Sequence, residues 1–356
     1  MRVTASSESI AAALKHSVAS RNSTMPVLTH VLLQAEGNTL RLQTSDTEIY
    51  VSHDIAANVQ QAGSICLSEA KLRAVCSGEG DVTLGADGHA VRGRSRFTIE
   101  TLAAENFPRP EEALFDPIPL EPEALLAAMN AVAYAADDGD VRPLCRVVHI
   151  EPGKAWSTNG HMLARCAINY TGPSLRIPEA QAKRLAAMMA LPGVQLQVAG
   201  SSATTANMLQ AKAEHASLIL RCMDAPGTSI DQAFPLLDKR IRIVIDRKEL
   251  IAALRRIRPF LASPKVPVVA LEFSGDGISL VSNDSGSVEF IAAEGSREDV
   301  PRTGVNPDYL MMILGALDSG VVELYPPAEV NSGPLVVLPE GGDIDVLAHV
   351  VMPCRV

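Results

Sequence analysis

Two short stretches of the 356-residue chain hold side chains that could do chemistry. Asn159-Gly160-His161 sets an imidazole after a tight turn, where a general base could stand. Asp137-Asp138-Gly139-Asp140 gathers three carboxylates around a glycine, as a calcium loop does. Neither keeps that reading in context. A turn closing a strand, with the His161 ring packed or hydrogen bonded, accounts for the first. The acidic run lacks the later bidentate glutamate of an EF-hand loop, so it reads as a solvated turn. The eight histidines (His16, His30, His53, His89, His149, His161, His215 and His349) are scattered, and none is spaced from another or from a cysteine as a metal pair. Cys66, Cys76, Cys145, Cys166, Cys222 and Cys354 form no CxxC pair, which predicts buried thiols in a reducing compartment. No phosphate loop, HExxH, GxSxG or GxGxxG is present. The expectation is a non-catalytic protein with no metal and no cofactor.

Composition narrows the class. Lys and Arg number 31 against 41 Asp and Glu, a net charge of −10, so a generally basic nucleic-acid coat is excluded while a local basic strip is not. Hydrophobic residues are 47% and charged residues 20%, the balance of a globular chain. No run approaches the roughly 18 apolar residues of a membrane span, and Met1-Arg2-Val3-Thr4-Ala5 carries no signal-peptide core. A soluble cytoplasmic protein of two or three domains is expected, at roughly 100–200 residues per domain.

The elements that must position any site repeat along the chain. Helix-like Glu8–Leu14, Glu123–Met129 and Lys248–Leu254 align so that Leu14, Met129 and Leu254 stand 115 and 125 residues apart. Strand-to-polar segments Leu42–Asp46, Ala155–Asn159 and Ser279–Asn283 give nearly the same offsets, 113 and 124. Two unrelated landmarks agree, and their agreement is the evidence for a repeat. A second half-repeat follows in each third. Helical segments near 68–77, 178–190 and 306–317 each precede a glycine and a strand, at Gly80–Leu84, Gly193–Val198 and Gly320–Leu324. Ser68 and Asn306 suit N-caps, with Pro307 at the first helical position, and Asp246 with Glu249 resembles a capping box. The reading is an α+β chain of three similar domains, 1–117, 118–239 and 240–356. Each lays two helices on antiparallel sheet, with boundaries at Pro-rich Phe115–Pro119 and Phe234–Asp238.

Segment 246–261 carries the clearest charge pattern. Leu250, Leu254, Ile257 and Leu261 form one apolar stripe, while Lys248 and Arg255 lie opposite and Arg256 and Arg258 flank it. Weaker basic pairs are Lys71/Arg73 and Lys183/Arg184, plus Lys15. Aromatic residues are 4%, too few for a base-stacking platform, so nucleic-acid contact here would be electrostatic and independent of base sequence.

With repeats and no chemistry established, the residues resemble one family, the bacterial DNA polymerase III beta subunits, or sliding clamps. The resemblance runs over the whole chain. It is carried by Gly93–Leu102 through Asn106-Phe107-Pro108, by Asp140-Val141-Arg142, by Ser157–Ala164 and by the terminal Val350–Val356. It implies a head-to-tail homodimeric ring of six similar domains around double-stranded DNA, two chains closing on each other, with helices inside and sheets outside. It implies inner-face candidates Lys15, Lys71, Arg73, Lys183, Arg184, Lys248, Arg255 and Arg256. It implies a subunit joint of Phe97 and Ile99 against Phe260 and Leu261 of the other chain. It implies a pocket for short peptides of the polymerase, clamp loader and repair proteins, with Cys145, Thr158, Gly160, His161, Met162 and Leu163 on one wall and Asn306, Tyr309, Val350, Met352 and Cys354 on the other. The chain departs from the family at Asn159 and Met162, where Asp and Arg are common. In the linker Thr228 stands where a proline would, and Gln232 and Ala233 replace what is often Arg followed by an aliphatic residue. These exchanges imply altered peptide preference. A polymerase processivity factor is the leading function, and a clamp-like paralogue acting as a decoy or regulatory binder is the alternative.

Overall fold

Each third of the chain runs through the same order of elements, to which the first adds two short strands, Asn58–Gln61 and Thr101–Leu102. The first holds β1 (Arg2–Ser6), α1 (Ser7–Leu14), β2 (His30–Glu36), β3 (Thr39–Ser45), β4 (Ile49–Ala56), β5 (Asn58–Gln61), β6 (Gly63–Ser68), α2 (Glu69–Val75), β7 (Asp81–Gly85), β8 (His89–Arg92), β9 (Ser95–Thr98) and β10 (Thr101–Leu102). The second holds β11 (Asp116–Pro117), α3 (Pro122–Val132), β12 (Val147–Glu151), β13 (Lys154–Thr158), β14 (Met162–Ala167), β15 (Leu175–Pro178), α4 (Glu179–Met189), β16 (Gln195–Ala199), β17 (Met208–Lys212) and β18 (Ala216–Arg221). The third holds β19 (Ile243–Asp246), α5 (Arg247–Ile257), β20 (Val269–Phe273), β21 (Gly277–Val281), β22 (Val288–Ala292), β23 (Thr303–Val305), α6 (Pro307–Ala316), β24 (Val321–Tyr325), β25 (Leu335–Pro339) and β26 (Leu347–Val351). These elements come from a computed structural model, which describes residues 1–20, 23–200, 204–263, 266–330 and 333–355.

Local chemistry sets the helix starts. Asp246 caps α5 by accepting from the Glu249 amide at 2.9 Å, and Asn306 caps α6 by accepting from the Asp308 amide at 2.9 Å, with Pro307 in the first turn. Ser6 caps α1 through the Ser9 amide at 3.3 Å. Ser68 is a correction: it precedes α2 but its side chain makes no capping bond.

The described residues fall into two compact units. Met1–Glu123 with Gln181–Cys222 make the first, and Ala124–Ala180 with Met223–Val356 the second. The first unit contains a five-stranded sheet in the order β5-β1-β7-β8-β9 and a nine-stranded sheet in the order β10-β6-β2-β3-β4-β18-β17-β16-β11. Its core joins Ile10, Ala13 and Leu14 of α1 and Leu72 of α2 to Val3, Val31, Leu33, Leu40, Leu67 and Val82 of the strands. The second unit contains an eight-stranded sheet, β15-β12-β13-β14-β26-β25-β24-β19, and a four-stranded sheet, β22-β21-β20-β23. Leu250, Leu254 and Ile257 of α5 and Leu310, Ile313 and Leu314 of α6 bury their stripes against Ile245, Leu271, Ile278, Leu324, Val337 and Val351. Each such leucine contributes roughly 1.5–3 kcal/mol by leaving water.

The two stretches read as domain boundaries are tied down. Asp116 and Pro117 form the edge strand β11 against Val198 and Gln197 of β16. Phe234 and Leu237 pack on a second apolar cluster of the second unit. Two joins within the units matter most for function. β4 pairs with β18 from Ile49↔Leu220 to His53↔Ala216, and β14 pairs with β26 from Met162↔Val351 to Cys166↔Leu347. In both, the third strand of one half-repeat meets the last strand of the following third of the chain.

Candidate functional site

The turn between β13 and β14 is built by its own side chains. Asn159 Oδ1 accepts from the amides of His161 and Met162, both at 2.9 Å, Thr158 Oγ1 donates to the Met162 carbonyl at 2.6 Å, and the Gly160 amide donates to Thr158 Oγ1 at 2.9 Å. An asparagine oxygen makes these bonds as a carboxylate would, so Asn159 leaves the turn intact. Gly160 sits at φ +84°, and a Cβ there would meet the Arg142 guanidinium at 2.7 Å. That guanidinium donates to the Asn159 carbonyl at 2.8 Å and forks onto Asp140 at 3.0 and 2.7 Å. Hydrogen bonds from Arg142 hold the Asp140 carboxyl well below the usual carboxylate range.

Around this turn lie the C-terminal strand and the start of α6. The Met352 amide donates to the His161 carbonyl at 2.8 Å, and the His161 ring stacks on Tyr309 with centroids 5.8 Å apart and planes 12° apart. The Cys354 amide donates to the Gly304 carbonyl at 2.8 Å, just before the Asn306 cap of α6. Burial pushes the Cys354 thiol up, so it is no thiolate nucleophile. Beyond the turn the sheet turns apolar. Leu163, Val350 and Ala233 join Trp156, Ile230, Tyr325, Val336, Leu338 and Ala348 in one cluster, rimmed by half-buried Leu144, Phe234, Leu237 and Ile344. Met352 is 47% exposed beside it and Thr228 is open to solvent.

The structure thus brings Leu163, Ala233 and Val350 into one largely buried apolar cluster, and gathers His161, Asn306, Tyr309, Met352 and Cys354 around the neighbouring turn. Cys145, Met162 and Val350 are corrections as open lining: at 1%, 2% and 2% exposure they offer no surface to a ligand in the single chain. Strand alternation explains Met162: Leu163 faces the cluster, so its neighbour points to the other side. Trp156, Val336 and Leu338 are the fully buried heart of this cluster and half-buried Phe234 lies at its rim, none of them singled out by the sequence. Trp156, the single tryptophan of the chain, in the middle of β13, was the available signal.

The basic candidates divide in two. Lys15, Lys183, Lys248 and Arg255 are exposed on or beside their helices, with Lys248 and Arg255 opposite the buried stripe of α5. The other four are held by acids. Lys71 binds Glu100 at 2.8 Å, Arg73 binds Glu69 and the Leu14 carbonyl, Arg184 lies 3.4 Å from Asp46, and Arg256 forks onto Glu289 at 3.0 and 2.8 Å. Each of these charges is partly neutralised inside its own chain, so they are weaker phosphate candidates.

Among the joint candidates, Phe97 is 40% exposed on β9 and Phe260 54% exposed after α5. Ile99 and Leu261 are corrections, at 2% and 7% exposure inside their own cores. β9 ends at Thr98, so the alternation that would set Ile99 beside Phe97 stops there. Val288 and Phe290 on the edge strand β22 are 58% and 52% exposed and went unnoticed in the sequence. Among the described residues no three His, Cys, Asp or Glu side chains converge as a metal site. Among them, too, no helix is long and apolar enough to cross a membrane.

Repeated helix-and-sheet halves joined into long continuous sheets define the DNA-clamp class of fold. Comparison with known proteins agrees. The family described as the DNA polymerase III beta subunit, N-terminal domain, matches residues 1–111. The beta sliding clamp of Pseudomonas aeruginosa is 24% identical over 360 residues, covering 95% of each chain, and that of Synechocystis is 26% identical over 370 residues, covering 93% of each. The solved sliding clamp of Bartonella birtlesii, bound to griselimycin, matches all of both chains with a TM-score of 0.89 at 19% identity. That of Caulobacter crescentus matches 100% of this chain and 99% of its own with a TM-score of 0.87 at 21% identity. The chain thus shares the fold of the beta sliding clamps along its whole length and is similar in sequence to curated members of that family.

Proposed function

We propose that this chain is a non-catalytic processivity factor: a sliding clamp in which two chains close head to tail around duplex DNA and tether polymerase and other replication proteins through the cleft beside the β13–β14 turn. Three domains, 1–117, 118–239 and 240–356, make up each chain. One observation carries the reading. The sheet orders make β22 the counterpart of β4 and β14, and β9 the counterpart of β18 and β26. β4–β18 and β14–β26 are paired, so the same rule leaves β22 of one chain for β9 of another. Both are unpaired edges, and both carry exposed aromatics, Phe97 on β9 and Phe290 on β22. An open apolar edge is an aggregation hazard unless a partner covers it. Two such joints close a ring of two chains and leave no edge of this kind.

A topological hold lets phosphate contacts stay few and weak, which suits a chain of net charge −10 whose exposed candidate cations are Lys15, Lys183, Lys248 and Arg255. The apolar cluster with its polar turn suits an extended peptide with apolar anchors. The solution mass is expected at twice 37.8 kDa by light scattering. A clamp loader should place the protein on nicked circular DNA, where it survives a high-salt wash and leaves once the circle is cut. A mass of one chain, or retention indifferent to cutting, overturns the proposal.

A further inference from the structure

The apolar cluster beside the turn is covered by residues 230–237, in which the regular piece is one 3-10 turn, Asp231–Ala233. Ile230, Ala233, Phe234 and Leu237 lie over Trp156, Leu163 and Val350, and the backbone bonds of this stretch are local: Ala233 N to Ile230 O at 2.9 Å, Phe234 N to Asp231 O at 3.2 Å and Arg240 N to Leu237 O at 2.9 Å. Such a segment depends on side chains for its placement. Arg165 supplies the central tie. It lies on β14 two residues past Leu163, on the same face, opposite Trp156 of β13 and Ala348 of β26. Its Cζ stands 4.2 Å over the Phe234 ring centroid. One terminal nitrogen lies 3.6 Å from Asp231, and the other donates to the Ile344 carbonyl at 2.7 Å and to Asp345 at 3.1 Å. Lys154 adds a second cation 3.3 Å from Asp231. The Arg165 side chain is only 11% exposed and its Nε is buried without a partner. Burying that charge is costly unless these contacts offset it.

We propose that Arg165 is a positioning residue for partner binding: it fixes the 230–237 wall and the 344–345 loop over the apolar cluster, so that an incoming peptide meets a wall already in place. This rests on the cleft reading above. A peptide binding to an untethered wall would bear the entropy of ordering it, and affinity would drop. A planar guanidinium can stack on Phe234 and fork onto two acids together, which an ammonium cannot.

The test compares full-length wild type with Arg165→Met and Arg165→Lys. In free protein, amide exchange at Ala233 and Phe234 should be at least tenfold faster in Arg165→Met, with an unchanged melting temperature and solution mass. Griselimycin, the ligand held by the Bartonella birtlesii clamp, should bind Arg165→Met about tenfold more weakly, read through the fluorescence of Trp156. Arg165→Lys should fall between the two. If Arg165→Met does not fold, Phe234→Leu keeps the apolar packing, removes the stacking partner, and should give the same exchange result. Unchanged exchange at Ala233 and Phe234 overturns the role of Arg165. Griselimycin failing to bind wild type overturns the cleft reading itself, and the exchange result still decides whether Arg165 holds the wall.

Discussion

His149 lies flat on Trp156, its cross-strand partner on β13, with ring centroids 3.6 Å apart and planes 3° apart. Its Nε2 faces the Leu144 carbonyl at 2.9 Å and donates to it, while Nδ1 is buried without a partner. Burial pushes its pKa down to about 3, with the nearby Arg176 charge acting in the same direction. His349, beside Tyr134, is likewise pushed down by burial to about 4. Both values lie below that of an unfolded histidine, so below pH 6.5 the unfolded chain takes up protons that the folded chain refuses. Stability is therefore complete above pH 6.5 and declines as pH falls toward 4, by on the order of 1.4 kcal/mol per pH unit for each ring. His53 is pushed down by burial to about 4 as well, so urea unfolding between pH 7.5 and 5 should reveal the slope of three rings, and His149→Phe, which keeps an aromatic ring on Trp156, should remove about a third of it. An unaltered slope in the variant would mean that His149 is not the group refusing the proton. Nothing in the sequence singled out His149, because its importance comes from a ring stacked on Trp156 across a hairpin and not from its neighbours in the chain.

At the scale of elements, α5 was the most legible part of the molecule, since its apolar spacing alone fixes which residues face inward. Leu250, Leu254 and Ile257 are buried, and Lys248 and Arg255 are left in solvent, as periodicity requires. What spacing could not reveal is which charges are already taken. Glu289 reaches Arg256 from a strand 33 residues later, and Asp46 approaches Arg184 from 138 residues earlier. Ile99 points inward because β9 ends at Thr98, a stop that spacing does not mark, whereas Leu261 is buried as its place on the apolar stripe of 246–261 already required, against the joint role the resemblance implied. The division among the cations is measurable. Replacing Lys15, Lys183, Lys248 and Arg255 by alanine should flatten the salt dependence of binding to a short duplex, by about 0.9 in log–log slope for each phosphate no longer neutralised. Arg256→Ala should change it far less, because the variant also frees Glu289. Equal effects from Arg256→Ala and Arg255→Ala would show that the ion pair opens on DNA and that the division is wrong.

The whole molecule carries two unlike edges, and this makes the assembly testable without seeing the ring. Phe97→Glu spoils β9 and leaves β22 whole, while Phe290→Glu spoils β22 and leaves β9 whole. Each side chain is at least 40% exposed in the single chain, so neither substitution disturbs a core. A charge at a desolvated joint has no partner, and each variant alone should run as a folded monomer. Mixed together, they still hold one good joint, the β22 edge of the first against the β9 edge of the second. The mixture should therefore form a pair of chains with one closed and one broken joint, at twice the mass of either component. Such a pair cannot enclose DNA, so it should fail to persist on a nicked circle on which the wild type is retained. A joint that paired like edges, β22 with β22, would behave differently. Phe97→Glu would then stay dimeric by itself, and mixing would add nothing. The mass of the mixture, together with its departure from circular DNA, thus tests the pairing rule read from β4–β18 and β14–β26 separately from the affinity of either joint.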